Sequence, residues 1–168
     1  MSRHGGHAAA AGFTLPANLL KDLRERLIGI TRRAQPAGGW ARVLRADADV
    51  NLHKLSWETL EGLARLEPHG MQNPRPLFVA RGTVVQSVRR MGKAAGAEAG
   101  PHLRIFLRDM RWATWEAVGW RMGERMNECG VGAKIDVAFQ LDVNEWNGER
   151  RLQLVLQDFR GADTTPVI

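Results

Sequence analysis

The sequence predicts an α+β fold that is mainly β: a five-stranded barrel preceded by a small helical segment. Three observations predict it. Ile135, Val137, Phe139, Leu141 and Val143 alternate with Asp136, Ala138, Gln140, Asp142 and Asn144, and a period of two puts one apolar face on a strand. Asn147-Gly148 follows, a pair that tolerates the positive φ of a tight hairpin turn, and Leu152, Leu154 and Leu156 resume the alternation behind it. Upstream lie three more strand-like runs and a short helix, in the order β-β-β-α-β-β over about 85 residues. That is the layout of an OB-fold, a Greek-key barrel with its helix between the third and fourth strands.

Taken in order, the elements begin with a glycine- and alanine-rich start, Gly5-Gly6-His7 followed by Ala8 to Ala11. Pro16 to Arg33 is an amphipathic helix. Leu20, Leu23, Leu27 and Ile30 recur at three and four, Pro16 suits the first turn, and Arg32 and Arg33 complement the C-terminal dipole. Gln35 to Gly39 breaks the helix. Arg42 to Leu52 reads as a short strand and extended linker. Ser56 caps a second helix, Trp57 to Leu66, whose buried stripe is Leu60, Leu63 and Ala64, and Pro68 stops it. The joint from Leu66 to Phe78 holds three prolines. The barrel strands are then Phe78–Arg90, with Gly82 a candidate bulge, His102–Asp109, Trp115–Trp120, Lys134–Glu145 and Arg151–Phe159. Gly92 to Gly100 is a loop, and Arg121 to Cys129 is a short helix ended by Gly130.

Composition narrows the class. An apolar content of 44% in 168 residues supports a core, and no run of about 18 apolar residues exists to span a membrane. Cys129 stands alone, so no disulfide framework is possible within the chain, and a cytoplasmic setting is expected. The net charge of +6 is unevenly spread: residues 1–46 carry +6, residues 47–76 carry −2, residues 77–111 carry +5 and residues 112–168 carry −3. Clustered positive charge suggests a polyanion, against the plainer reading of a solvated basic surface.

OB-folds bind with the face of the second and third strands and with the loops after the first and fourth. Here the second strand offers Arg104, Phe106 and Arg108 on one face, a stacking platform between two cations. Arg89, Arg90, Lys93 and His102 flank the loop after the first strand, and Trp146, Arg150 and Arg151 sit at the loop after the fourth. The competing reading has Phe106 packed beneath the N-terminal helices and the arginines serving solubility. Gly5-Gly6-His7, if it precedes a helix N-terminus, could cradle a phosphate with backbone N–H groups. Asp47, Asp49 and His53 read as turn and cap residues rather than metal ligands. Cys129, near a helix C-terminus, reads as a small buried side chain. No residue is assigned a catalytic role.

Three stretches carry a family resemblance. Gly5-Gly6-His7-Ala8-Ala9-Ala10-Ala11-Gly12-Phe13 resembles the Gly-Gly-His…Ala-Ala-Gly motif of the DHHA1 domain of DHH-family phosphoesterases. Leu63 to Phe78 resembles the joint before the OB domain of the RecJ family of single-stranded-DNA-specific exonucleases. Leu141-Asp142-Val143-Asn144-Glu145 with Leu152-Gln153-Leu154 resembles the end of that OB domain. The matches fall in the family's order over nearly the whole chain. The resemblance implies that residues 1–46 are the C-terminal remnant of a DHHA1 domain, 47–77 a linker with one helix, and 78–163 a RecJ-type OB domain. It implies 5′→3′ degradation of single-stranded DNA in recombination and repair, with Mn²⁺ or Mg²⁺ held in an N-terminal DHH domain and no cofactor in this chain.

The function expected is therefore single-stranded DNA binding by the C-terminal portion of a RecJ-like exonuclease, from a truncated gene or one half of a split enzyme. Gly5, Gly6 and His7 would hold DNA near the metals, and the barrel would grip the strand. Single-stranded DNA and a separate DHH catalytic half are the implied partners, with no membrane. The runner-up is a stand-alone OB module docking a catalytic partner, and third comes residual phosphoesterase activity in the chain itself.

Overall fold

The computed structural model describes residues 3–37, 39, 43–92 and 100–162. They divide into two compact units, Met1–Leu44 and Arg45–Ile168.

The first unit is a hairpin and a helix. Strand β1 (Arg3–His7) pairs antiparallel with β2 (Ala10–Thr14), in register from Arg3↔Thr14 to His7↔Ala10. Gly5 and Gly6 thus lie inside a strand, not before a helix N-terminus, and a side chain on Gly6 would strike the Ala10 and Ala11 backbone. The absence of a Cβ lets the two strands close tightly. A 3₁₀ turn at Ala17–Leu19 leads into α1 (Leu20–Ala34). None of the described side chains of this unit is fully buried; Leu20, Leu27 and Ile30 are all more than half exposed or at the half mark.

The second unit is a closed barrel. Strand β3 (Ala48–Asp49) runs parallel to the start of β4, and a 3₁₀ turn at Leu52–Lys54 buries Leu52 completely. Helix α2 (Trp57–Ala64) starts at a capping box. The Thr59 N–H donates to Ser56 Oγ and the Ser56 N–H donates to Thr59 Oγ1. Leu60 and Leu63 pack on the core, whereas Ala64 is exposed. The segment 47–77, with its one helix, lies in the same compact unit as the barrel. The Pro-rich joint is tied by Asn73 Nδ2, which donates to the Leu66 and Pro68 carbonyls at 2.7 and 3.0 Å.

The barrel strands are β4 (Phe78–Met91), β5 (His102–Arg108), β6 (Thr114–Gly119), β7 (Lys134–Trp146) and β8 (Glu149–Gly161). They lie in the order β4-β5-β6-β8-β7, and β7 pairs back onto β4 to close the ring. All contacts are antiparallel except β6 with β8, joined in parallel by Ala117↔Leu154 and Val118↔Val155. This is the expected five-stranded Greek key.

Strand β4 serves two neighbours because it bends. Its first half pairs with β7, its second with β5, and the register slips between Ala80 and Thr83, where Gly82 takes φ +61°. The Gly82 N–H donates to the buried Asp136 carboxylate at 3.0 Å. Inside the ring sit Val85, Leu103, Ile105, Leu107, Ile135, Val137, Phe139 and Leu154, all essentially inaccessible. The predicted helix between the third and fourth strands is instead a 3₁₀ segment, Gly123–Glu128. It places Met122 and Met126 against the core, and Arg125 binds Glu128, Asp158 and the Phe159 carbonyl. Those hydrogen bonds raise its guanidinium above the ordinary value, against the opposing pull of burial.

Candidate functional site

Alternation decides what each barrel strand shows to solvent. Leu103, Ile105 and Leu107 of β5 point inward, so Arg104, Phe106 and Arg108 share the outer face. On β6 the inward Ala117 sets Glu116, Val118 and Trp120 outward, and on β8 the inward Leu154 sets Glu149, Arg151 and Gln153 outward. Register then brings these rows together: Arg104 lies opposite Arg89 on one side and Val118 on the other, and Phe106 lies opposite Glu116.

The result is a groove of about 550 Å³ on the outer face. Arg104, Glu116 and Val118 form its floor on β5 and β6. Trp120 stands at one side, and Trp146 and Arg151 stand on the β7–β8 hairpin. Trp120 is 53% exposed and Trp146 79%. Trp120 is steadied by His102, whose ring meets it edge-on at 4.8 Å, and His102 Nδ1 accepts the Arg121 N–H at 3.0 Å. Trp146 ends β7 just before Asn147-Gly148, both at positive φ, so a two-residue turn of the primed type carries it.

The expected residues divide. Arg104, Trp146 and Arg151 line the groove together. Phe106 lies on the same face beside Arg104, whose guanidinium is 5.4 Å from the ring centre. Arg89 is exposed opposite Arg104. Arg108 instead stacks at 3.8 Å on Trp112, in the turn after β5. Arg90 Nε donates to the Gly100 carbonyl at 2.9 Å, so it holds the loop end. Arg150 lies over Trp57 at 5.3 Å. Arg150 and Arg151 lie on strand β8 and not in a loop. Lys93 falls outside the described residues. Gly5, Gly6 and His7 belong to the other unit.

Sequence reading missed Trp120, Glu116, Glu149 and the rest of the lining, Met91, Val118, Asn144 and Gln153. The signal for Trp120 was present, since alternation outward from the buried Ala117 reaches it. Glu116 needed the register. Arg104 Nε lies 2.7 Å from Glu116 Oε1, an ion pair without hydrogen-bond alignment, which leaves that N–H buried and without an acceptor. Arg151 Nη2 lies 2.6 Å from Glu149 Oε2.

The other candidate residues have structural partners. Asp47 accepts the Leu77 N–H at 2.8 Å, Asp49 pairs with Arg81, and His53 pairs with Asp109 at 2.7 Å. Among the described residues no group of three or more His, Cys, Asp or Glu could hold a metal ion. Cys129 is fully buried, and its thiol is pushed up to about 11 by desolvation and by the Glu128 carboxylate. No helix among the described residues is long and apolar enough to cross a membrane.

Comparison with known proteins agrees with this fold. The family model for the RecJ OB domain matches residues 46–158. A single-stranded-DNA-specific exonuclease RecJ of Bacillus subtilis is 29% identical over 154 residues, which are 92% of this chain and 19% of the relative. That of Thermus thermophilus is 28% identical, over 94% of this chain and 21% of its own length. The crystal structure of Thermus thermophilus RecJ in complex with Mn²⁺ superposes with a TM-score of 0.70 at 27% identity, covering 96% of this chain and 22% of that one. The chain spans about a fifth of the length of these relatives.

Proposed function

We propose a function from one premise: the chain belongs to the RecJ OB domain family. It binds single-stranded DNA as the C-terminal portion of a RecJ-like 5′→3′ exonuclease acting in recombination and repair. The hydrolytic chemistry is supplied by a DHH domain, in the same longer polypeptide or in a separate one. One observation carries the reading: the outer-face groove joins two exposed tryptophans to Arg104 on the second barrel strand and to Arg151 beside the turn after the fourth, the regions OB-folds use for binding. Stacking is worth about 1–3 kcal/mol per base and suits any unpaired base, whereas a duplex hides its base faces.

Fluorescence anisotropy with a labelled 15-nucleotide strand tests it. The single strand should bind in preference to the matching duplex. Trp120→Ala and Trp146→Ala should each weaken binding by about 1–3 kcal/mol. Unchanged affinity in both variants would move the site elsewhere, and no binding at low salt would remove the function.

A second reading, an OB module that docks a separate catalytic partner, is favoured by α1. Its Leu20, Leu27 and Ile30 are 61%, 50% and 54% exposed, which is more apolar surface than a short helix ordinarily leaves uncovered.

A further inference from the structure

The arginines in the groove already have carboxylate partners. Arg104 is paired with Glu116 at 2.7 Å, the two side chains being 27% and 17% exposed. Arg151 is paired with Glu149 at 2.6 Å. Both carboxylates line the groove beside the arginines. The Arg151 pair is exposed, at 74% and 68%, and holds Arg151 only weakly, whereas a phosphate reaching Arg104 would have to displace Glu116 and then sit next to it. Among the described residues no ion pair engages Arg89 or Arg108, which lie on the same face outside the groove lining.

We propose that the groove is a base-reading site and that Glu116 is its specificity-determining residue. Glu116 withholds Arg104 from the DNA backbone. An unpaired base stacks on Trp120 or Trp146, and its exocyclic amine donates to a carboxylate, as cytosine N4 does to Glu or Asp in base readout. Asn144 and Gln153, also in the lining, offer both donors and acceptors to the same base edge. The phosphates run outside, past Arg89 and Arg108. This rests on the DNA-binding reading and deepens it: the preferred ligand is a single strand presenting bases, amino-bearing ones above all, and not a bare phosphodiester chain.

The full chain is titrated with a 15-nucleotide deoxycytidine strand and with an abasic strand of equal length, at salt concentrations from about 50 to 200 mM. The abasic strand should bind roughly ten-fold or more weakly. Glu116→Gln, which removes the charge and keeps the shape, should narrow that gap. It should also steepen the slope of log affinity against log salt by about 0.7, the value for one added phosphate contact on a single strand. Trp146→Ala, at the exposed end of β7, should reduce the preference for bases and leave the slope unchanged. Abasic affinity within about two-fold of the deoxycytidine strand, or a gap and slope indifferent to Glu116→Gln, would overturn the proposal while leaving DNA binding intact. Failure of both strands to bind at the lowest salt would overturn both.

Discussion

Asp109 follows β5 and organises the turn that comes next. Its carboxylate accepts the Arg111 and Ala113 N–H groups at 2.8 and 3.0 Å and the His53 N–H at 2.8 Å, and pairs with His53 Nδ1 at 2.7 Å. Burial pushes its pKa upward, but these hydrogen bonds outweigh it and hold the carboxyl below the ordinary range. A carboxyl held low in the folded state adds stability above its unfolded pKa of about 3.9 and loses it as pH falls through the folded value. Asp109→Asn should therefore cost about 1–3 kcal/mol at pH 7 in urea denaturation, and the difference from wild type should shrink below about pH 4. A pH-independent difference would contradict this account. Part of the groove is legible residue by residue: Arg104, Trp146 and Arg151 follow from position in the strand pattern, and they line it together. Glu116 is not, because its meaning comes from a neighbour on another strand, and no spacing within one segment encodes a cross-strand pair.

Among the elements, the β7–β8 hairpin was the plainest in the sequence, since alternation along both strands leads into Asn147-Gly148, although the register slips between Ala138 and Phe139. Gly148 takes φ +80° with open space around it. Gly148→Ala should cost about 1–2 kcal/mol through backbone strain alone, read as a lowered midpoint in thermal or urea unfolding. It should also weaken DNA binding, because Trp146 is aimed by that turn. Two elements were misread for physical reasons. The start of the chain pairs as a hairpin, yet Gly5, Gly6 and the alanines carry neither the β-branched side chains nor the alternation that announces a strand. The 3₁₀ segment at Gly123–Glu128 spans only six residues, a length at which the sequence does not separate an α-helix from a tighter 3₁₀ turn.

At the scale of the molecule, the described core lies wholly between Leu52 and Phe159, in the barrel's unit. The barrel was legible because a closed sheet repeats its pattern in every strand. The first unit's fate was not, because a helix with one apolar face does not say what covers it. Hydrogen exchange separates the two. In the isolated chain, amides of Leu20–Ala34 should exchange far faster than those of β4, β5 and β7, since few buried contacts hold them. Adding a separately produced chain that carries a DHH domain should slow exchange in Leu20–Ala34. Slow exchange there in the isolated chain, or no change on addition, would count against a docking role.

The bend in β4 has a consequence for biosynthesis. Its first half is completed by β7, and the Thr83 hydroxyl donates to the Ile135 carbonyl across 52 residues of sequence. At about 5–20 residues per second, a ribosome takes roughly 3–10 s to make that stretch. For that interval the Phe78–Val84 edge is open, with Phe78 and Ala80 bound for the interior but still uncovered. The ring cannot close from its N-terminal strands alone, so a chain stalled before Lys134 presents a sticky strand to its neighbours.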